Sequence, residues 1–266
     1  METEIEDKPA VSRLKYTIPA ILLLAFMLYY LVMMMLASEK KLISLKENYE
    51  LSQGDTIPIN EKILNDSAYL KLLKEKVYLQ SRIALAETDS IYLAVNLADS
   101  TVDLEINGVS VHRADIGKAD ISRILKYGDD YIILSLLSRP LTTVRSFSSI
   151  QKEPLMIKMA PRDTSEYVPD IIPDTADYEP VNFILEMDNG IIFSVYQEDK
   201  IRWGDGMNLF GFDLRYRMRN TFISIWSVLT LKIPEYHPFI KIRLPREDAK
   251  IIYRALPDKG QVAISL

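Results

Sequence analysis

The chain has no cysteine in its 266 residues, only two histidines, His112 and His237, and only nine glycines. The first absence excludes disulfides, a thiolate nucleophile and sulfur-ligated metal centres, and it leaves the compartment unreadable from redox chemistry. The second leaves no metal site, because two histidines without an acid motif beside them do not make one. No GxSxG, HExxH, P-loop or complete dinucleotide fingerprint is present, and Ser149-Ile150-Gln151-Lys152 meets the SxxK pattern at a spacing chance readily supplies. No cofactor is expected. An excess of basic residues is also missing: 32 Lys and Arg face 37 Asp and Glu, for a net charge of -5. Nothing overall attracts a polyphosphate, so nucleic acid is not expected as a partner.

What is present is ordinary globular composition, 48% hydrophobic and 26% charged, in a length that allows one core-bearing domain with an appendage. The appendage is N-terminal. After a short head, residues 1–16, the stretch Thr17 to Ser38 runs without a charge through Ile21-Leu22-Leu23-Leu24 and Met33-Met34-Met35-Leu36. At about 1.5 Å of rise per residue it crosses a hydrocarbon core of roughly 30 Å. A signal peptide competes, but its apolar region is about 7–15 residues and a small-residue cleavage site follows, which Ala37-Ser38 matches weakly. The expectation is a single-pass transmembrane helix over 17–38, with Tyr29 and Tyr30 in mid-span. Lys8, Arg13 and Lys15 before it balance Lys40, Lys41 and Lys46 after it, so basic residues do not set the orientation. The short head and large body favour a body across the membrane.

Residues 39–90 read as a helical stalk. Glu39 to Leu51 is charged and helix-permissive, Ser52-Gln53-Gly54-Asp55 and Pro58 break it, and a second helix runs from about Glu61 to Glu87. Ile63, Leu70, Leu73, Val77 and Ala84 follow a heptad-like stripe, broadened by Tyr69, Leu72, Leu79 and Ile83. That stripe suits either a coiled-coil homodimer or packing on the protein's own domain, since it is short and Gln80 interrupts it.

From Ile91 the period changes to two. Val102, Leu104 and Ile106 alternate with Asp103, Glu105 and Asn107, Gly108 turns the chain, and Val109 and Val111 resume, which predicts a hairpin with one buried face. Further strands are expected at Tyr131 to Leu137, Leu155 to Met159, Asn182 to Met187, Ile191 to Tyr196, Phe212 to Phe222 and Trp226 to Ile233, with a tight turn at Asp188-Asn189-Gly190. Met159 to Pro180 carries Pro161, Pro169, Pro173 and Pro180 among acids and reads as a long surface loop. Pro245, with Glu247 and Asp248 after it and Arg254 before Pro257 and Gly260, marks a short helix, and Val262 to Leu266 a last strand.

Two ends of residues 91–266 carry a resemblance. Ile91 to Leu97 followed by Val102 to Val109 resembles the opening hairpin of the L,D-transpeptidase catalytic domain. Ile242-Arg243-Leu244-Pro245-Arg246-Glu247-Asp248-Ala249-Lys250 resembles the segment directly after that family's Ser-His-Gly-Cys, and Gly260 to Ile264 is similar to its closing strand, one residue shorter. Arg123 to Lys232 carries no match. The resemblance implies a mainly β fold, an L,D-transpeptidase-like β-rich domain with a short C-terminal helix, behind the transmembrane helix and stalk. It also implies the cell envelope of a bacterium, with the anchor in the inner membrane and the domain periplasmic. The catalytic residues do not carry over. Placing Arg243 on the family's arginine puts Lys241 at the cysteine, Ile240 at the glycine and Phe239 at the histidine. Acyl transfer needs a thiolate and a base, whereas a lysine would form an amide that does not turn over.

The expectation is therefore a pseudoenzyme that binds peptidoglycan or an envelope protein through a remnant groove at His237, Lys241 and Arg243. Its rivals are an enzyme with relocated chemistry and a structural subunit of an envelope assembly. Two further features are candidates for ligand contact. Arg215, Arg217 and Arg219 alternate with Leu214, Tyr216 and Met218, which on a strand would set three guanidinium groups on one face as a carboxylate grip or as a solvated edge. Trp203, in Trp203-Gly204-Asp205-Gly206, reads as a turn residue that could stack on a sugar.

Overall fold

The computed structural model describes residues 10–52, 67–152, 179–199 and 204–266. The expected strand Leu155 to Met159, all of the proline-rich segment but its last two residues, the break at 53–58, the first residues of the second stalk helix and Trp203 lie outside the described residues. The chain divides into two compact units: Met1–Asn48 with Tyr216–Tyr236, and Tyr49–Arg215 with His237–Leu266.

In the first unit, helix α1 covers Ala10–Ser52 and runs through the expected span and the first stalk helix without a break. Its segment Thr17–Leu45 is long and apolar enough to cross a membrane, and an N-terminal helix of this kind also fits a signal sequence. Ile21, Leu22, Leu23 and Leu24 are exposed, whereas Met33, Ala37 and Leu45 are buried at helical spacing. The Tyr29 hydroxyl approaches the Val228 carbonyl at 3.5 Å, linking α1 to the end of helix α5, Asp205–Leu229.

In the second unit, nine strands among the described residues form one sheet: β1 (Tyr92–Asn96), β2 (Thr101–Ile106), β3 (Val109–Asp115), β4 (Lys118–Ile121), β5 (Leu141–Ser148), β6 (Asn182–Met187), β7 (Ile192–Gln197), β8 (Phe239–Leu244) and β9 (Gln261–Ser265). Their order is β3-β2-β1-β9-β5-β6-β7-β8-β4. The pairs β1/β9 and β7/β8 are parallel, and the other neighbours are antiparallel. Strand β5 changes partner: Leu141 and Thr142 pair with β9, and from Thr143 onward it pairs with β6, with an irregularity between Thr143 and Arg145.

Alternation along the strands sends one set of side chains into a common core. Leu93, Val95, Phe183, Phe193, Val195, Ile240, Ile242, Leu244 and Val262 are fully buried there. Helices α3 (Arg123–Tyr127), α4 (Asp130–Leu137) and α6 (Arg246–Ala255) close it with Leu125, Ile133, Leu137, Ala249, Ile252 and Tyr253, the Tyr253 ring lying 5.1 Å from that of Phe183. Helix α2 (Ser67–Ala86) covers the other face of β1 and β9, where Tyr78 and Leu85 meet Tyr92, Ala94 and Ala263. Leu73 and Val77 pack on Leu134 of α4. The buried stripe of α2 is thus Leu73, Val77, Tyr78, Ser81 and Leu85, a 3.6-residue period, while Ala84 of the heptad reading is exposed.

Several expected elements change type. Tyr131 to Leu137 is the helix α4, not a strand: a short apolar run fits both, and the burial of Ile133, Leu134 and Leu137 follows helical spacing. Phe212 to Phe222 and the start of Trp226 to Ile233 belong to the helix α5. Its apolar residues Met207, Phe210, Leu214, Met218, Phe222 and Trp226 recur every three or four positions, and that period overrides the local Leu-Arg-Tyr-Arg alternation. The hairpin β2–β3 forms with Asn107-Gly108 at its turn, both at positive φ. It does not have one buried face. Asp103 and Glu105 are buried as well, at 7% and 1% exposure.

Buried carboxylates require partners, and both have them. Arg82 of α2 grips Glu105 with two nitrogens, Nε at 3.2 Å, and its guanidinium lies 5.6 Å from the centre of the Tyr78 ring. Burial works against the Arg82 charge, but the hydrogen bond and charge of Glu105 outweigh it and raise the pKa. Asp103 accepts from Ser110 and from Arg113 Nε, each at 2.7 Å. Burial also pushes the hydroxyls of Tyr78 and Tyr92 up to about 12, so both stay neutral beside these charges.

Replacing Arg82 by Met should lower stability by about 2 kcal/mol, since it strands the Glu105 carboxylate in the interior. Arg113→Met, at an exposed side chain, should change it little. Urea unfolding of the full chain in detergent micelles measures both, and equal losses would remove the special role of Glu105.

Candidate functional site

Strand β8 separates inside from outside. Ile240, Ile242 and Leu244 are fully buried, while Phe239, Lys241 and Arg243 are half-buried on the opposite face. The antiparallel edge strand β4 sets Lys118 opposite Arg243 and Asp120 opposite Lys241, and on the other side the parallel strand β7 sets Tyr196 opposite Arg243. The first half of α5 adds Leu209 and Asp213. Together Lys118, Asp120, Tyr196, Leu209, Asp213, Lys241 and Arg243 line a half-open cleft of ≈ 210 Å³.

Two contacts fix its walls. The Tyr196 hydroxyl donates to Asp213 Oδ1 at 2.6 Å, tying α5 to β7, and the Phe147 and Phe212 rings stack at 5.1 Å, tying α5 to β5. The Lys241 ammonium sits 4.7 Å from the centre of the Phe239 ring, a cation–π contact that holds its stem along the strand. Among the described residues, Lys118, Asp120, Lys241 and Arg243 make no salt bridge. The cleft therefore offers three cations and a carboxylate that no ion pair among the described residues neutralises, with the Asp213 carboxylate held by Tyr196.

Of the residues singled out from the sequence, Lys241 and Arg243 come together in this cleft. His237 does not: it is exposed, and its Nδ1 lies 3.2 Å from the Gly190 carbonyl at the β6–β7 turn. Arg215 and Arg217 are exposed on α5 and do not line the cleft. On a helix two residues differ by about 200° of rotation, so the expected single face of guanidinium groups at Arg215, Arg217 and Arg219 does not exist. Arg215 and Arg219 share a side and Arg217 is turned away from them. Trp203 lies outside the described residues.

The sequence reading missed Lys118, Asp120, Tyr196 and Asp213. Lys118 and Asp120 had a weak signal, two opposite charges at strand spacing. Their partner strand lies more than a hundred residues away, so nothing local pointed to Lys241. His112 is half-buried and meets Asp248 Oδ1 on α6 at 2.9 Å. Among the described residues, no group of three His, Asp or Glu side chains is arranged to hold a metal ion. No protein-family model, curated protein or solved structure matches the chain.

Tyr196→Phe removes a hydrogen bond to a carboxylate and should lower stability by about 1.5 kcal/mol with the secondary structure unchanged. Urea unfolding read alongside circular dichroism measures it, and an unchanged midpoint would mean that Tyr196 and Asp213 do not hold the cleft together.

Proposed function

We propose that the protein is a single-pass, non-catalytic binding protein of the bacterial cell envelope, a degenerate L,D-transpeptidase-like domain held at the inner membrane by α1 with its body on the periplasmic side. Its cleft takes a zwitterionic peptide, such as the stem peptide of peptidoglycan. The observation that carries this reading is the cleft itself: Lys118, Lys241 and Arg243 stand beside Asp120 and Asp213 on two strands and a helix. Three cations suit a carboxylate, the acids suit an amine a short distance away, and a ligand bearing both satisfies both. A volume of ≈ 210 Å³ suits one or two amino-acid units rather than a cofactor. The non-catalytic part of the reading is supported by the lack of a thiol anywhere in the chain and by Ile240, buried in the core at the place the resemblance gives to the glycine before the nucleophile.

A protein partner is the second reading. Leu72, Leu79 and Ile83 share the side of α2 turned away from the sheet and are exposed. Such a stripe suits an envelope protein or a second copy of the stalk.

The test is retention of the full chain, in mild detergent, on intact peptidoglycan sacculi. The Lys241→Glu, Arg243→Ala double variant, checked for folding by circular dichroism, should lose about tenfold or more in retention, because it replaces two charge-assisted contacts with one repulsion. Equal retention would overturn the assignment of the cleft. New cross-links in the sacculi would overturn the non-catalytic reading.

A further inference from the structure

The second half of α5 presents an apolar surface that the cleft does not use. Met218, Phe222, Trp226 and Leu229 recur at spacings of four, four and three, on one side of the helix, and are 49–70% exposed. Exposure of this kind on four successive turns needs a cover.

Three observations name it. The segment lies in the same compact unit as α1, and the Tyr29 hydroxyl, within the candidate span Thr17–Leu45, approaches the Val228 carbonyl at 3.5 Å. Three hydroxyls of the segment are satisfied internally: Ser224 and Ser227 donate to the carbonyls of Asn220 and Ile223 at 3.0 Å, and Thr230 donates to those of Trp226 and Ser227. The helix end is closed in the same way. Leu231, at φ 58°, lets the Lys232 N–H bond to the Ser227 carbonyl at 2.8 Å and its own N–H to that of Val228 at 3.1 Å, a Schellman cap. In water these carbonyls would find solvent, and such closure matters most where water is absent.

We propose that the second half of α5 is embedded in the same lipid bilayer that α1 crosses, with Met218, Phe222, Trp226 and Leu229 against the acyl chains. No charged residue occurs from Asn220 to Leu231. At about 1.5 Å per residue this stretch reaches roughly 18 Å, too short to cross and enough to enter one leaflet. Arg215, Arg217 and Arg219 precede it and stand at the level of the lipid phosphates, and Lys232 after the cap limits how deeply the helix end enters. The inference rests on the reading of α1 as a membrane span.

The chain has two tryptophans, Trp203 and Trp226, so Trp203→Phe leaves Trp226 as the only emitter. The full chain is reconstituted into phosphatidylcholine–phosphatidylglycerol vesicles in which the phosphatidylcholine is brominated along its acyl chains. Trp226 should lose most of its emission to bromine and be shielded from aqueous iodide. A control, Trp203→Phe with Trp226→Phe and Phe26→Trp, places the emitter on α1. Quenching of that control without quenching of Trp226 overturns the proposal and leaves the span standing, and no quenching in either removes the span as well. Trp226 shielded from both quenchers means that protein covers the face, which also overturns it.

Discussion

Strand β3 ends at Asp115 and β4 begins at Lys118, yet they are the two outer strands in the nine-strand order. The three steps from Asp115 to Lys118 span at most about 11 Å. The sheet therefore has to curl until β2 and β8 flank one continuous stretch of chain. The backbone records this directly: Ile116 N–H bonds to the Ser100 carbonyl just before β2, and Gly117 N–H to the Arg243 carbonyl of β8. The Glu198 carboxylate lies over Gly117 at this corner, 1.9 Å from where a Cβ would stand. Once the sheet has an inside, the two-residue period of β8 does the rest. Ile240, Ile242 and Leu244 fill the core, and Lys241 and Arg243 turn outward beside Lys118 and Asp120.

The same curling explains why a helix from the expected stalk belongs to the domain. Strand β2 is buried on both sides, and its outward-alternating residues are acids. Glu105 at 1% exposure is tolerable only with a cation brought to it, and Arg82 on α2 is that cation. Tyr78 and Leu85 dock on Tyr92, Ala94 and Ala263 around it. A charged requirement inside the sheet and an apolar stripe on the helix thus act on the same surface, which leaves Leu72, Leu79 and Ile83 as the outer side of α2.

The sequence was legible where one local signal acted alone. Asn107-Gly108, Asp188-Asn189-Gly190 and the Pro245 start of α6 specified their turns and helix through backbone chemistry that no distant contact altered. It misled where two periods fitted the same residues. From Leu214 to Arg219 apolar and basic residues alternate strictly, but the longer series from Met207 to Trp226 has the helical period, and over 25 residues the longer pattern decides. Two residues of the candidate site, Lys241 and Arg243, were singled out from the sequence, through the resemblance of the segment around them rather than through any strand pattern. The rest were not. Lys118, Asp120, Tyr196 and Asp213 reach the cleft only through the curled topology, which no single stretch of sequence encodes.

The balance of charge in the cleft bears on what the proposed ligand can be. An inorganic or lipid phosphate would meet Lys118, Lys241 and Arg243 favourably but would also face Asp120 and the Asp213 carboxylate held by Tyr196. Each acid opposes an anion. An amine placed toward the acids removes the opposition and adds attraction, so a ligand with separated charges gains from both groups while a simple anion gains from one. Lys241 strengthens the distinction. Its ammonium lies over the Phe239 ring, an apolar platform that limits its hydration and fixes where its charge is presented. A positioned charge of this kind selects a ligand by geometry.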